Sequence, residues 1–325
     1  MVTIKDVARD AGVSVGTVSN VLNGGRVSEA RRKLVEASIE KLGYQVNTLA
    51  KGMRMQKTDY VVVILPNLIN PYFALLLDAL ESELSAVGKQ VLLCLSGDDA
   101  EREVAFMDMA KQNKVDGIIG VTYSKVEEER IENMAFVSID RHYKSHIPCV
   151  AGDNWQGGWL AAENLHKRGA TNLLCFMTMS SVDSEGRKRR VGFTEYCMEH
   201  DLSCNSVEMS EKQIVSVYES YGSRKLIHNM LRAYISPSMG EHSIDGIFTS
   251  SDHLATIVRE ELEEMGKRVP EDIQIIGYDG LQFLNQGKPI VSSIAQPVHE
   301  IAKEAVRCLN ELIANGKTEG NTWRT

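Results

Sequence analysis

The sequence predicts a small all-α head followed by an α/β core of two doubly wound parallel-sheet subdomains. Two observations carry this. Two short amphipathic helices joined through a glycine open the chain, and after Asp59 short apolar runs alternate with amphipathic helical stretches as far as residue 278. Repeated strand–helix units imply parallel sheets covered by helices on both faces. Roughly 250 residues of such units suit two sheets better than one, because single cores stop growing near that size.

In the head, Ile4, Val7, Ala8 and Ala11 fall on one helical face. Thr3 stands at the N-cap position, with Asp6 three residues on to reach back to it. Gly12 permits a tight turn. Ser14 then caps a second helix, Val15–Leu22, whose inner face is Val18, Val21 and Leu22. Two short helices linked by a few residues with a glycine make a helix-turn-helix; the bland alternative is an ordinary helical hairpin. A third helix is expected from Ser28 to Leu42, with Leu34, Val35, Ile39 and Leu42 as its apolar stripe and Gly43 as its stop.

Charge separates the head from the rest. Residues 1–57 hold ten Lys and Arg against five Asp and Glu, a net +5; the whole chain carries −8, so the remainder carries −13. A basic tip on an acidic body fits a nucleic-acid-binding head joined to a domain that does not adhere to DNA. Beyond the three helices, Asn47 caps a short stretch through Leu49, Ala50 and Met53. Gly52 within it costs ~1 kcal/mol relative to Ala, and so short a helix is marginal alone, so it is expected to order on DNA.

The core elements follow in turn. Strands are expected at Tyr60–Leu65, Val91–Leu95, Gly117–Val121, Phe136–Asp140, Leu173–Thr178, near Ser206–Met209, at Gly246–Thr249 and at Ile273–Tyr278. Helices are expected at Pro71–Val87, Glu101–Gln112, Asn154–Arg168, Gly186–His200, Gln213–Ala233 and Asp252–Met265. No polar linker divides the core, so the chain is expected to pass between the halves more than once.

In open α/β sheets ligands bind beyond the carboxyl ends of the strands. There the sequence places Asn67, Asn70, Tyr72 and Phe73, then Thr122 and Tyr123, Asp140 and Arg141, Ser250, Ser251 and Asp252, and Asp279. Carboxylates, hydroxyls and an arginine beside aromatics suit a polar metabolite such as a sugar or nucleobase. Each Asp has a structural alternative as a helix N-cap, expected for Asp252. The run Arg187–Arg190 opens a helix after a strand, so one of its cations is expected to point into the cleft.

Other classes are disfavoured. At 43% hydrophobic and 25% charged the composition is that of a globular protein. No run of ~18 apolar residues suggests a membrane span, and the N-terminus lacks a secretory core, so a cytoplasmic, nucleoid-associated protein is expected. The six cysteines have no zinc spacing and read as buried reduced thiols. His142 and His146 lack a third ligand, so no metal is expected. No G-x-S-x-G, phosphate loop, H-E-x-x-H or G-x-G-x-x-G is present, so neither an enzyme nor a cofactor is expected.

Together these residues resemble the LacI/GalR family of bacterial transcriptional regulators, over nearly the whole chain. The resemblance rests on Thr-Ile-Lys-Asp-Val-Ala-x-x-Ala-Gly-Val-Ser-Val-x-Thr-Val-Ser (3–19), Val21-Leu22-Asn23, Gly43-Tyr44, Asn47, Ala50, Asn70-Pro71-Tyr72-Phe73, Val115 to Ile119, Ile139-Asp140-Arg141, Asp153-Asn154, Gly157-Gly158, Gly192-Phe193 and Gly277-Tyr278-Asp279. It implies a periplasmic-binding-protein-like core, and a head (1–46), a hinge segment (47–58) and an effector-binding core (59–325). The core would divide into an N-subdomain of about 59–152 plus about 291–315 and a C-subdomain of about 153–283.

By the same resemblance, helix 15–22 would enter the major groove, with Val15, Gly16 and Asn20 facing bases and Thr3, Ser14, Thr17, Ser19 and Asn23 on phosphates. Asn47 and Ala50 would lie in a hinge helix whose Met53 wedges into the minor groove. Tyr72, Phe73, Asp140, Arg189, Ser251 and Asp279 would line the effector pocket, beside Thr122 and Arg141 from the strand-end survey. Asn20 stands where the family often has Arg and suits adenine, so an operator unlike the commonest family type is expected. Met53, Gly52 and Val46 depart from the usual Leu, a better helix former and Pro. No tetramerising heptad tail or final hydrophobic strand follows Gly316.

The partners implied are a near-palindromic double-stranded DNA operator, a homodimer mate and a small-molecule effector. A phosphocarrier-type protein corepressor and a solute-binding receptor are the alternatives.

Overall fold

The computed structural model describes residues 2–44, 58–126, 131, 134–143, 147–179, 182–210, 221–235, 243–281 and 291–315. The chain forms two compact units, Met1–Thr58 and Asp59–Thr325.

Among the described residues the first unit has three helices, α1 (Ile4–Asp10), α2 (Val15–Leu22) and α3 (Glu29–Leu42). The Asp6 carboxylate accepts from the Thr3 backbone N–H at 3.0 Å and from its hydroxyl at 2.7 Å. These bonds hold Asp6 below the usual carboxylate range. The turn passes through Gly12 at φ 64°, a left-handed conformation that costs other residues energy. Ser14 caps α2 by accepting from the Thr17 N–H at 3.2 Å. Val7, Ala8, Ala11, Val18, Val21 and Val35 form the buried centre.

One expected core residue is displaced. Leu34 is 55% exposed, and Ser38 is buried in the stripe instead. The helical period explains this: 35, 38, 39 and 42 share a face, whereas 34 falls to one side. Ser38 is tolerated because its hydroxyl reaches Asp10 at 2.8 Å.

The second unit holds two five-stranded parallel sheets. The first comprises β1 (Tyr60–Leu65), β2 (Gln90–Leu95), β3 (Gly117–Gly120), β4 (Phe136–Ile139) and β5 (Cys149–Val150), in the order β2-β1-β3-β4-β5. Helices α4 (Pro71–Ala86) and α5 (Ala100–Gln112) connect its leading strands. The second comprises β6 (Asn172–Met179), β7 (Ser203–Ser210), β8 (Gly246–Thr249), β9 (Gln274–Asp279) and β10 (Ser292–Ala295), in the order β10-β9-β8-β6-β7. With it run α6 (Asn154–Lys167), α7 (Arg187–Glu199), α8 (Tyr221–Ile235) and α9 (Asp252–Glu264), and α10 (Val298–Asn315) follows β10. Residues 211–220, where the helix at Gln213 is expected to begin, lie outside the described residues.

Strand alternation explains the continuous apolar runs. Val61, Val63 and Leu65 enter one buried cluster with α4 and α10, while Val62 and Ile64 enter another with α5. A strand covered on both faces needs apolar residues at every position.

The stretch 291–315, expected with the first sheet, divides. Its strand β10 pairs with β9 in the second sheet, Ser292 opposite Ile276. Its helix α10 packs Ile301, Ala302, Ala305 and Leu309 into the cluster of Val61, Leu80 and Val137. Main-chain pairing makes β10 a strand; its own Ser-Ser-Ile-Ala carries little apolar signal. The chain therefore passes between the sheets after β5 and again at Gln296–Pro297. The short β5 was likewise absent from the sequence expectation.

A second correction concerns α9. Its N-cap is Ser251, which accepts from the Leu254 N–H at 3.1 Å. Asp252 is the first helical residue, and its carboxylate accepts from the Leu281 N–H at 2.7 Å.

Candidate nucleic-acid interface and ligand site

On the head, Val18 and Val21 are buried, and the opposite face of α2 presents Val15, Gly16 and Asn20 to solvent. Around that face lie hydroxyls and amides: exposed Thr3, Ser14 and Asn23, and partly exposed Thr17 and Ser19. Ser14 and Thr17 share a hydrogen bond at 3.0 Å, and the Asn23 amide donates to the Ser19 hydroxyl at 3.3 Å. Helix α2 has no acidic residue in its first turn. Its N-terminus thus offers unopposed N–H groups and a positive dipole end, which favour a phosphate. Asn47, Ala50 and Met53 lie outside the described residues.

In the core, the strand ends assemble a buried polar site. Asp140 follows β4 and Asp279 ends β9, and both backbones sit at positive φ, 62° and 117°. Such conformations are uncommon outside glycine and cluster at functional sites. Arg189, in the first turn of α7, is the member of the basic run that turns inward. Its Nε donates to the Asn154 side chain at 2.6 Å, its Nη1 to the Ser250 carbonyl at 2.8 Å, and its guanidinium lies 3.7 Å from the Tyr278 ring centre. Close glycines set that position. A Cβ at Gly158 would overlap the Arg189 carbonyl, and one at Gly192 would overlap the Trp155 carbonyl. Only glycine lets α6 and α7 approach this closely.

Electrostatics follow from burial. Asp279 is pushed up to about 8 by desolvation, with Arg189 pulling the other way and Asp252 and Asp140 adding to the rise. Burial also raises Asp140, again against the pull of Arg189. Tyr72, on α4, is driven well above its ordinary value by burial and by the two carboxylates. Tyr72, Asp140 and Asp279 each feel the charge of Arg189. Buried oxygens there have no hydrogen-bond partner among the described residues: Tyr72 Oη, Asp140 Oδ1, Asp279 Oδ2 and Gln296 Oε1. Buried polar atoms are normally satisfied, so a ligand or water is called for.

Asp279 has a pH signature. Its native value lies above its unfolded one, so its contribution to stability is full below about pH 4 and is lost as pH rises toward 8. Asp279→Asn is expected to flatten the fall in unfolding free energy between those limits in urea titrations. An unchanged slope would remove Asp279 as its source.

The remaining expected residues divide. Phe73 is buried with Tyr72, in edge contact at 5.5 Å. Thr122 and Arg141 are buried in a separate network: Arg141 donates to the Ser124 carbonyl at 2.6 Å and to Thr122 at 3.3 Å, and lies over Tyr143. The Ser251 oxygen is engaged as the α9 cap, while its neighbour Ser250 holds Arg189. Two contributors went unnoticed in the sequence. Gln296 donates to Asp279 at 2.7 Å from the crossover after β10, and Asn154 accepts from Arg189. Asn154 carried a hint in the Asp153-Asn154 pair; Gln296 had none, because the strand before it was not apparent.

A helix-turn-helix head and a two-sheet core with a buried polar site define a DNA-binding transcriptional regulator. Residues 3–47 match the model of bacterial regulatory proteins of the lacI family, and residues 162–323 match a periplasmic binding protein-like domain. The chain is 33% identical over 312 residues to the sucrose operon repressor of Pediococcus pentosaceus, covering 95% of this chain and 92% of that one. The chain belongs to the LacI family. In fold it is similar to a lac repressor dimer bound to operator and the anti-inducer ONPF, with TM-score 0.78, 22% identity, and 99% and 96% of the two chains covered. It is also similar to a periplasmic binding protein/LacI transcriptional regulator from Alkaliphilus metalliredigens QYMF complexed with D-xylulofuranose. There the TM-score is 0.68 and the identity 26%, over 82% of this chain and 94% of that one.

Proposed function

We propose that the protein is a repressor that binds a near-palindromic operator as a homodimer, and that a neutral sugar held between the two sheets sets its operator affinity. The observation that carries the sugar assignment is the set of buried oxygens on Tyr72, Asp140, Asp279 and Gln296 that have no partner among the described residues. Buried acceptor oxygens with few free donors suit a ligand rich in O–H groups. A phosphate-bearing ligand finds a single guanidinium there, whose Nε and Nη1 already donate to Asn154 and to the Ser250 carbonyl, and is disfavoured. The named sugars of the similar proteins agree with this chemistry.

Calorimetric titration of the full chain with neutral mono- and disaccharides, sugar phosphates and nucleobases tests the assignment. A neutral sugar is expected to bind and to shift operator affinity by about 5–150-fold. Binding of only a phosphorylated sugar or a nucleobase would overturn it.

On the head, Asn20 is positioned to read a base from the exposed face of α2. Asn20→Ala is expected to lose ~1–3 kcal/mol of preference for operator over random duplex, read by fluorescence anisotropy at fixed salt. Equal weakening on both duplexes would make Asn20 a backbone contact instead.

A further inference from the structure

The outer edge of the second sheet brings together three thiols that the ligand site does not use. Cys175 lies on β6, Cys204 on β7, and Cys197 in the last turn of α7. Leu173 pairs with Cys204 and Cys175 with Ser206. Residues paired across strands share a face, as do those two apart along a strand, so Cys204 and Cys175 stand on the same side. Helix α7 covers that side: Phe193, Tyr196 and Cys197 share a buried cluster with Leu173 and Cys175, and Cys204 packs against its margin. The turn between Cys197 and Cys204 is short, closed by the Leu202 N–H donating to the Cys197 carbonyl at 2.9 Å.

Access distinguishes the three. Strand β7 is the edge of its sheet, and Cys204 is partly exposed while the other five cysteines are buried. The Cys204 thiol lies 3.8 Å from the Asn205 carbonyl; the neighbouring Cys197 thiol pulls Cys204 below the ordinary thiol value, while Cys204 and burial push Cys197 up. A partly exposed thiol on an edge strand beside a second, buried thiol is the arrangement of an attacking and a resolving cysteine.

We propose that Cys204 and Cys197 form an oxidisable dithiol, a modification site for hydrogen peroxide. The Cys204 thiolate attacks one peroxide oxygen and breaks the O–O bond; the departing hydroxide takes a proton and leaves as water, and Cys204 becomes a sulfenic acid. The Cys197 sulfur then attacks the Cys204 sulfur, its proton leaves with the sulfenic hydroxyl as a second water, and the disulfide forms. Both sulfurs are oxidised and the peroxide is reduced. The bond ties the last turn of α7 to β7, at the far end of the helix whose first turn carries Arg189.

The test uses the full chain, treated with hydrogen peroxide, blocked with iodoacetamide and digested with trypsin. Cys197 and Cys204 both fall within Val191–Lys212, which has no internal Lys or Arg, whereas Cys175 falls within Gly169–Arg187. The expected product is Val191–Lys212 unalkylated and lighter by two hydrogens, restored by dithiothreitol. Cys204→Ser is expected to abolish that product, and Cys197→Ala to leave a sulfenic acid on Cys204 that dimedone labels. Recovery of the wild-type peptide with both cysteines alkylated after peroxide would overturn the proposal. So would a cross-link between Val191–Lys212 and Gly169–Arg187, which would make Cys175 the partner.

Discussion

Arg189→Ala is expected to destabilise the core by ~3–5 kcal/mol at pH 8, the usual consequence of removing one partner from a buried charged set. The guanidinium lies beside two desolvated carboxyls and makes hydrogen bonds to Asn154 and to the Ser250 carbonyl. Without it the Ser250 carbonyl loses its donor, Asn154 keeps only the long bond from the Tyr278 hydroxyl, and Asp140 and Asp279 lose the cation that opposes their desolvation. Both carboxyls already titrate above their unfolded value, so each is cheapest in the fold when protonated. The sign follows: the deficit of the variant grows as pH rises and shrinks as the carboxyls take protons. Urea unfolding at acid and at alkaline pH measures it. Arg189→Lys, which keeps the charge but not the two directed bonds, is expected to recover part of the alkaline deficit. A deficit independent of pH would show that lost packing on Tyr278, not charge, explains the effect.

Gly158→Ala is expected to cost about 3 kcal/mol or more, at or beyond the upper end of ordinary overpacking. The added methyl would overlap a backbone carbonyl, that of Arg189, and not a side chain that can rotate away. Relief requires α6 and α7 to separate, which also moves Arg189 off Tyr278. The variant should therefore show both a lower melting temperature and weaker binding of the proposed sugar. Gly192→Ala should behave alike from the facing helix, where its methyl would overlap the Trp155 carbonyl. The double variant is expected to be sub-additive, since one separation of the helices relieves both overlaps. Full additivity would mean that the two glycines do not share one contact.

Much of the head was legible because its signals are local. The Thr3–Asp6 pair, Gly12, the Ser14 cap and Gly43 act within a few residues of themselves, and each appears in the structure where its chemistry placed it. The core strands β1, β3 and β4 were equally plain, since a strand buried on both faces writes itself as a near-continuous apolar run. Leu34 was misplaced because a stripe inferred from apolar residues alone discounts a serine, and Ser38 enters the stripe through a hydrogen bond that composition does not record. Strand β10 was missed because β9, not its own residues, makes it a strand.

The sequence by itself determined the helix-turn-helix, the parallel α/β rhythm and most of the polar residues gathered at the strand ends, because caps, turns and hydrophobic period are short-range properties. Tertiary structure alone decided which of the four cations at 187–190 turns inward, that Gln296 meets Asp279 across 17 residues of chain, and that Asp279 holds its proton to about pH 8. The physical reason is that desolvation and hydrogen bonding between distant segments depend on what surrounds a group after folding, and no residue carries that information in its own neighbourhood.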